Sequence, residues 1–507
     1  MKKNKMKSVF VGLTMVLALS ACGGDSSSTS KSSTEKSTGS SIEANSGASA
    51  QEYTDPSKLK DEYDVVIVGA GGAGMAAALS AKDAGMNPVI LEKLPVAGGN
   101  TLKSSGGMNA SETKFQKEQK IEDSNQSFFD DTLKGGKGTN DQELLHYLVD
   151  HSASAIDWLD SMGITLDNIS YSGGASQKRI HRPHDGGAVG TYLVDGLIKN
   201  IHEKEIPLFV NTDVVKINEK NGQVNGVTAK VNGEEKVISG KAVVVTTGGF
   251  GANEEMIEKY RPDLKGYVST NSEGSTGDGI KMIESLGGAV VDMEQIQVHP
   301  TVVQETGMLI SETVRGEGAI LVNQQGERFY NELETRDNVS SAITALPEHY
   351  AYLIFDSELA KRAKQVDFYK EQGVVVEGKT IEELAGKIDV DAKTLENTVN
   401  TWNKSVESQS DTAFERKTAM DYDLTKGPFY AIKIAPGIHH TMGGVKINTD
   451  TQVEKEDGSV INGLYAAGEV TGGIHGQNRI GGNAVADIIV FGRQAGTQSA
   501  KFAEDPK

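Results

Sequence analysis

A chain of 507 residues, 37% hydrophobic and 24% charged, is a globular protein too long for one ordinary core, so at least two lobes are expected. Its 70 acids against 51 Lys and Arg give a net charge of −19, which argues against nucleic acid as a partner. A single Cys excludes an internal disulfide, a Cys-ligated iron–sulfur centre and a CxxCH haem attachment, so redox chemistry needs some other cofactor.

The chain opens with Lys2, Lys3, Lys5 and Lys7, then an apolar run over 9–19, then Leu19-Ser20-Ala21-Cys22. A basic start, a short apolar stretch and small residues before a cut describe a secretory signal over 1–21. The run is well short of the ~20 residues a membrane span needs. The ending resembles a bacterial lipobox, which implies cleavage before Cys22, lipid on its sulfur, and anchoring at the extracytoplasmic face of the cell membrane. Residues 22–60 are rich in Ser, Thr, Gly, Lys and Glu, cannot bury a core, and are expected to form a flexible linker. Within them, 43–49 (Glu-Ala-Asn-Ser-Gly-Ala-Ser) resembles the acceptor at which flavin transferases esterify FMN. It departs from that pattern at Glu43 and Ser49, where Asp and Thr are preferred. The resemblance makes Ser49 a candidate for covalent FMN and a flavin transferase a candidate partner.

Residues 64–68 (Asp-Val-Val-Ile-Val) predict a buried strand. Gly69-Ala70-Gly71-Gly72-Ala73-Gly74 follows, then a small-residue helix over 75–84, a second strand over 88–91, and Glu92. Strand, GxGxxG, helix, strand and acid form a dinucleotide-binding unit: the glycines admit a pyrophosphate at a helix N-terminus, and Glu92 is placed for a ribose. A Gly-rich loop, Lys93 to Thr101 (Lys-Leu-Pro-Val-Ala-Gly-Gly-Asn-Thr), comes directly after Glu92. Two more strand–Gly segments follow, at 243–250 and 463–469. Three such segments returning to one cofactor suit extended FAD better than NAD.

Five clusters carry candidate chemistry: 295–301 with His299, 311–318 (Ser-Glu-Thr-Val-Arg-Gly-Glu-Gly), 331–337 with Arg336, 439–444 (His-His-Thr-Met-Gly-Gly), and 476–485 with Arg479. Together with the dinucleotide unit they resemble the flavoprotein subunits of fumarate reductases and succinate dehydrogenases, most closely the soluble flavocytochrome c type, over about 61–500. The resemblance implies an α/β fold, with a Rossmann-like FAD-binding domain over 61–296 and 439–507 and an inserted α+β capping domain over 297–438. It implies reduction of fumarate to succinate. His299, Ser311, Glu312, His439, Arg479, Gly106 and Gly482 would bind substrate. Arg336 would donate the proton, with Glu312 and Arg315 as its relay. FAD would be held by Gly69 to Gly74, Glu92, Lys93, Gly99, Asn100, Thr101, Gly106, Gly107, Val214, Thr247, Gly248, Gly249, Asp278, His440, Glu469, Asn483, Ala484 and Val485. Ser311 stands where relatives have Thr, and both supply a hydroxyl.

Membrane-complex relatives tether FAD to a His after the Gly-Gly turn. Residues 98–107 contain none, so FAD is expected to be non-covalent. No metal is expected, because adjacent residues such as His439 and His440 on a strand face opposite ways. Without a haem domain, electrons must come from an external donor, a membrane quinol chain or flavoprotein, or from FMN on the linker. Two other readings remain open: reduction of another α,β-unsaturated acid such as urocanate or acrylate, and a solute-binding lipoprotein.

Overall fold

The computed structural model describes residues 52–505; the signal segment 1–21, Cys22 and Ser49 lie outside the described residues. Strand Glu62–Val68 is buried from Val65 to Val68, as its β-branched run requires. It pairs in parallel with Pro88–Leu91 on one side and Glu234–Val245 on the other. Leu208–Phe209 and Val460–Ala466 extend the parallel layer outward. Thr212–Lys220, Gln223–Val231 and Glu234–Val245 form an antiparallel meander attached to it. The parallel layer thus places the C-terminal ends of Glu62–Val68, Glu234–Val245 and Val460–Ala466 side by side, each running into a Gly turn. Open α/β sheets bind ligands at such ends. Helix Gly72–Asp83 follows the first strand, and helix Asn483–Glu504 packs along it. The packing is close because Gly492 and Gly496 face the helix backbone, where an added Cβ would lie 2.6 and 2.2 Å from the carbonyl oxygens of Ala73 and Ala77.

A second sheet of six strands is antiparallel, ordered Met308–Leu309, Ile296–Val303, Phe429–Thr441, Ala351–Asp356, Ile320–Val322, with Val376–Gly378 also on Phe429–Thr441. Apolar clusters fill both its faces; one holds Phe355, Tyr369 and Ile432, the other Trp402, Leu384 and Ile354. Its two longest strands, Ile296–Val303 and Phe429–Thr441, carry the chain into and out of the region expected to form the cap. They are hydrogen-bonded to each other, so the expected boundaries at 297 and 439 fall inside one sheet. Contacts gather the described residues, 52–505, into one compact unit.

The linker expectation needs correcting at its C-terminal end. Thr54 donates its N–H to Leu208 O, the Tyr53 hydroxyl accepts from Ala97 N–H at 2.9 Å, and Leu59 is buried. Thr54 therefore lies on the edge strand Leu208–Phe209, and Leu59 O accepts from Lys236 of strand Glu234–Val245. Tyr53 and Leu59 are the two large apolar side chains in a stretch otherwise too polar to pack, and they anchor it.

Candidate active site

The dinucleotide turn is built as its glycines demand. At Gly69, φ is +104° and an added Cβ would lie 2.6 Å from Thr246 O; at Gly74 it would lie 2.0 Å from Gly69 O. Those glycines let strand, turn and helix close on one another. Gly71 differs: the nearest atom to an added Cβ is at 3.9 Å, so packing within the protein does not require glycine there, whereas Gly248 has room at Cβ but a left-handed φ of +75°. Helix Gly72–Asp83 opens without a side-chain cap, which leaves amide groups for a phosphate. Glu92 accepts from Ala70 N–H and Leu94 N–H, each at 2.8 Å and each through a different oxygen. Each oxygen keeps a lone pair for a ribose hydroxyl. Burial raises the Glu92 carboxyl, and those amides oppose it.

Other candidate FAD residues line the same region. Gly72 N–H bonds Thr101 Oγ1. Asn100 Nδ2 donates to Glu469 at 3.0 Å and Asn271 at 2.7 Å. Glu469 is pushed up by burial, its bonds from Asn100 and Thr441 opposing. Lys93 and Asp278 pair at 2.6 Å. Val214 is buried in the meander. Gly107 and Gly249 sit tight against His181 O and Thr441 Oγ1, whereas Gly106 and Gly99 face open space at Cβ, with nothing nearer than 3.6 Å. Gly482, in the left-handed region at φ +90°, precedes Asn483, Ala484 and Val485 at the start of the last helix. Buried Thr247 Oγ1 and both ring nitrogens of His440 lack a partner within the described residues. Open glycines, an uncapped helix and these orphaned polar atoms fit a bound FAD, and among the described residues no acid/His/Cys cluster could hold a metal.

The second sheet delivers the reacting groups. Its register sets Gln297 opposite His440 and Val298 opposite Ile438, which makes His439 the extra residue of a bulge. A bulge re-aims a side chain. His439 thereby meets His299 edge to face, ring centroids 5.3 Å apart, while His440 turns the other way and meets His475 at 5.4 Å. Thr301 N–H donates to His299 Nδ1 at 3.3 Å, so the neutral ring carries its proton on Nε2. That Nε2 is buried without a partner in the described residues. Thr270 Oγ1 lies 2.9 Å from His439 Nδ1. Burial holds both rings well below the usual imidazole range, and Arg336 adds to it in each case.

Three guanidiniums surround one carboxylate. Arg336 donates Nε–H to Glu312 at 2.7 Å and Nη1–H to Gln297 Oε1 at 2.8 Å. Arg315 Nη2 reaches Glu312 at 3.5 Å. Arg479 Nη2 donates to the same Gln297 oxygen at 3.1 Å, and its Nε is buried without a partner in the described residues. Burial alone would raise Glu312; Arg336, Arg315 and Arg479 outweigh it and hold the carboxyl down to about 2. Burial also brings Arg315 down to about 10 and Arg479 to about 9. Ser311 caps helix Glu312–Gly316 by accepting from Thr313 N–H, and its hydroxyl donates to Thr313 Oγ1. Gly481 packs flat against this group: an added Cβ would lie 2.6 Å from Glu312 Oε2. Cation charge thus exceeds anion charge in a buried pocket of a strongly acidic protein, which suits a small dianion.

Some members of the site carried no expected role. Gln297 bridges Arg336 and Arg479, and its place two residues before His299 on a strand puts both on one face. Arg182 Nη2 bonds Thr313, and Asn478 Nδ2 bonds Asp337, which pairs with Lys137 at 2.7 Å. Asn109 holds Gly481 O and Asn483. His475 and Asp487 form a buried pair at 3.2 Å. These residues lie far apart in sequence, and no spacing joins them.

Similarity to known proteins agrees with this geometry. An FAD binding domain family profile matches residues 64–485. The chain is 53% identical over 443 residues to an NADH:fumarate oxidoreductase of Klebsiella pneumoniae, covering 87% of this chain and 48% of that one, so it spans about half the length of that relative. It is 45% identical over 448 residues to a fumarate reductase (cytochrome) of Shewanella frigidimarina, covering 88% of this chain and 78% of that one. Among solved structures, the open conformation of a flavocytochrome c3 fumarate reductase matches with TM-score 0.76 at 44% identity, over 89% of this chain and 80% of that one. The chain belongs to the FAD binding domain family, together with the fumarate reductases of the flavocytochrome c type.

Proposed function

We propose that the protein is an extracytoplasmic, lipid-anchored fumarate reductase that holds FAD non-covalently. The observation that carries the reading is the pocket in which Arg336 and Arg315 pair with Glu312, and Arg479 joins Arg336 through Gln297, beside His299 and His439. When bound, reduced FAD supplies a hydride to one alkene carbon. Arg479, the Nε2–H of His299, His439 and Ser311 are the groups that would hold the two carboxylates of the substrate. Bidentate guanidinium geometry suits a carboxylate. Arg336 gives a proton to the second alkene carbon, producing succinate, and its charge stabilises the carbanion-like carbon beforehand. Glu312, 2.7 Å from Arg336 and 3.5 Å from Arg315, passes a proton from the second guanidinium to the first. Burial has already lowered Arg315 to about 10, which eases that transfer.

The test is oxidation of reduced viologen by the purified flavoprotein with fumarate, urocanate and acrylate as acceptors. Turnover with fumarate well above the others is expected. Turnover on urocanate or acrylate with none on fumarate refutes the assignment, and a colourless protein refutes the enzyme. Mass spectrometry of the mature N-terminus tests lipid on Cys22, and a one-FMN mass shift of the 43–60 peptide tests Ser49.

A further inference from the structure

On the side of strand Phe429–Thr441 opposite the substrate pocket lies a second polar cluster. His475 Nε2 is 3.2 Å from Asp487 Oδ2, with 3% and 2% of the two side chains exposed. Four buried polar atoms here have no partner among the described residues: His475 Nδ1, Asp487 Oδ1 and both ring nitrogens of His440. The charged and titratable groups facing the pair are His440 from the strand, Arg479 from the loop before the last helix, and Glu469 from the end of the parallel sheet; His439 and Arg336 lie beyond His440. Asp487 stands in the second turn of helix Asn483–Glu504, whose start is the candidate flavin contact.

The arrangement has one feature that positioning of substrate does not need. A neutral His475 donates Nε2–H to Asp487, which leaves Nδ1 bare, buried and free to take a proton. The pair then carries one net negative charge, and protonation makes it neutral. A new negative charge nearby favours that step. Two-electron reduction of FAD places such a charge on the flavin.

We propose that His475 and Asp487 form a proton-compensation site for the flavin. With FAD oxidised, His475 is neutral. When a low-potential donor delivers two electrons and FAD takes one proton to become the reduced anion, a second proton from solvent adds to His475 Nδ1, giving an imidazolium–carboxylate pair. Two electrons and two protons enter, one proton on the flavin and one on the protein. Burial favours the neutral ring in the oxidised state, against the pull of Asp487. Asp487 acts through His475, so both are positioning residues for charge rather than catalytic ones. The proposal rests on FAD being bound and not on fumarate being the substrate.

The experiment is spectroelectrochemical titration of the holoenzyme in a Ser49→Ala background, so that one flavin titrates. It runs between pH 7 and 8.5, above the range where the reduced flavin's own ring proton contributes. For a two-electron couple each proton taken up shifts the potential by about 30 mV per pH unit. The parent protein is expected to show about 60 mV per pH unit, and Asp487→Asn and His475→Gln about 30, with Asp487→Glu restoring the steeper slope. A parent slope near 30, or variants that keep 60, overturns the proposal. If Asp487→Asn loses its flavin, His475→Gln carries the comparison, and the parent slope stands as a test by itself. None of these readings involves fumarate, so failure of the substrate assignment leaves them intact.

Discussion

Arg336 makes two directed contacts at once, Nε to Glu312 and Nη1 to Gln297. A Lys carries its three donors on one nitrogen and cannot reach both partners with the spread of the guanidinium fork. Arg336→Lys is therefore expected to lose about 10²–10⁴ in kcat while keeping the flavin spectrum, since general-acid catalysis contributes on that order. Turnover near the parent rate would remove Arg336 from the proton step. Gly481 gives a sharper test because it contributes no chemistry of its own. In Gly481→Ala the new methyl meets Glu312 Oε2 at 2.6 Å and Arg336 Nη2 at 3.2 Å, so the ends of these two side chains must shift. Displacing the pair by a fraction of an ångström to one ångström costs up to about 10²-fold in rate. The expected result is a fall in kcat with FAD binding unchanged, read by stopped-flow turnover and absorbance. Parent-like kcat would show that the Glu312–Arg336 geometry is not critical.

At the level of elements, the first strand was legible because a run of Val and Ile has no other stable place: 64–68 was expected and Glu62–Val68 is found. The helix after it was expected from residue 75 and begins at Gly72, because the glycines of the turn already adopt helical backbone. The bulge at His439 was not legible, since a strand pattern carries no mark of one extra residue. Nor were the elements inside the cap, where Arg416 is fully buried although a charged residue normally predicts surface. The structure explains it: Arg416 and Arg328 lie over the Trp402 ring at 4.6 and 4.7 Å, and both pair with Glu332. Arg416 also donates to Arg315 O, and Glu332 O accepts from Arg315 Nη1, so helix Ala392–Ser408, through Trp402, supports the relay. Trp402→Ala is expected to cost about 3–5 kcal/mol in urea unfolding and to lower turnover, whereas Trp402→Phe keeps an aromatic face and most of both. Equal stability in the two variants would show that the ring is not the keystone of the cap.

Across the whole molecule, five of the ten histidines, at 181, 299, 439, 440 and 475, are held below the usual imidazole range, burial being the first cause in each. Their neutral form belongs to the fold, so the unfolded chain binds more protons below its own imidazole value of about 6.5. The stability they favour is complete above that pH and is lost as pH falls from about 6.5 toward their folded values. Each contributes up to about 1.4 kcal/mol per pH unit in that window. Glu312, held down to about 2, adds a loss that begins only below about 4.5. Glu92, Asp195, Asp292 and Glu469 are raised by burial and act in the opposite sense, four carboxyls against five imidazoles. His181 isolates the effect because it lies outside the reacting groups: Nδ1 bonds Arg179 O at 2.8 Å, Nε2 bonds Thr113 Oγ1 at 2.8 Å, and its value falls to about 4. The flavoprotein should therefore unfold at markedly lower urea at pH 5.5 than at pH 7.5. His181→Gln, which can keep one donor and one acceptor without a titrating ring, should show a smaller loss between the same two pH values by about one proton's worth. Urea midpoints and slopes of both proteins at matched FAD saturation measure it, and a variant whose pH dependence equals the parent's would show that His181 is protonated in the fold.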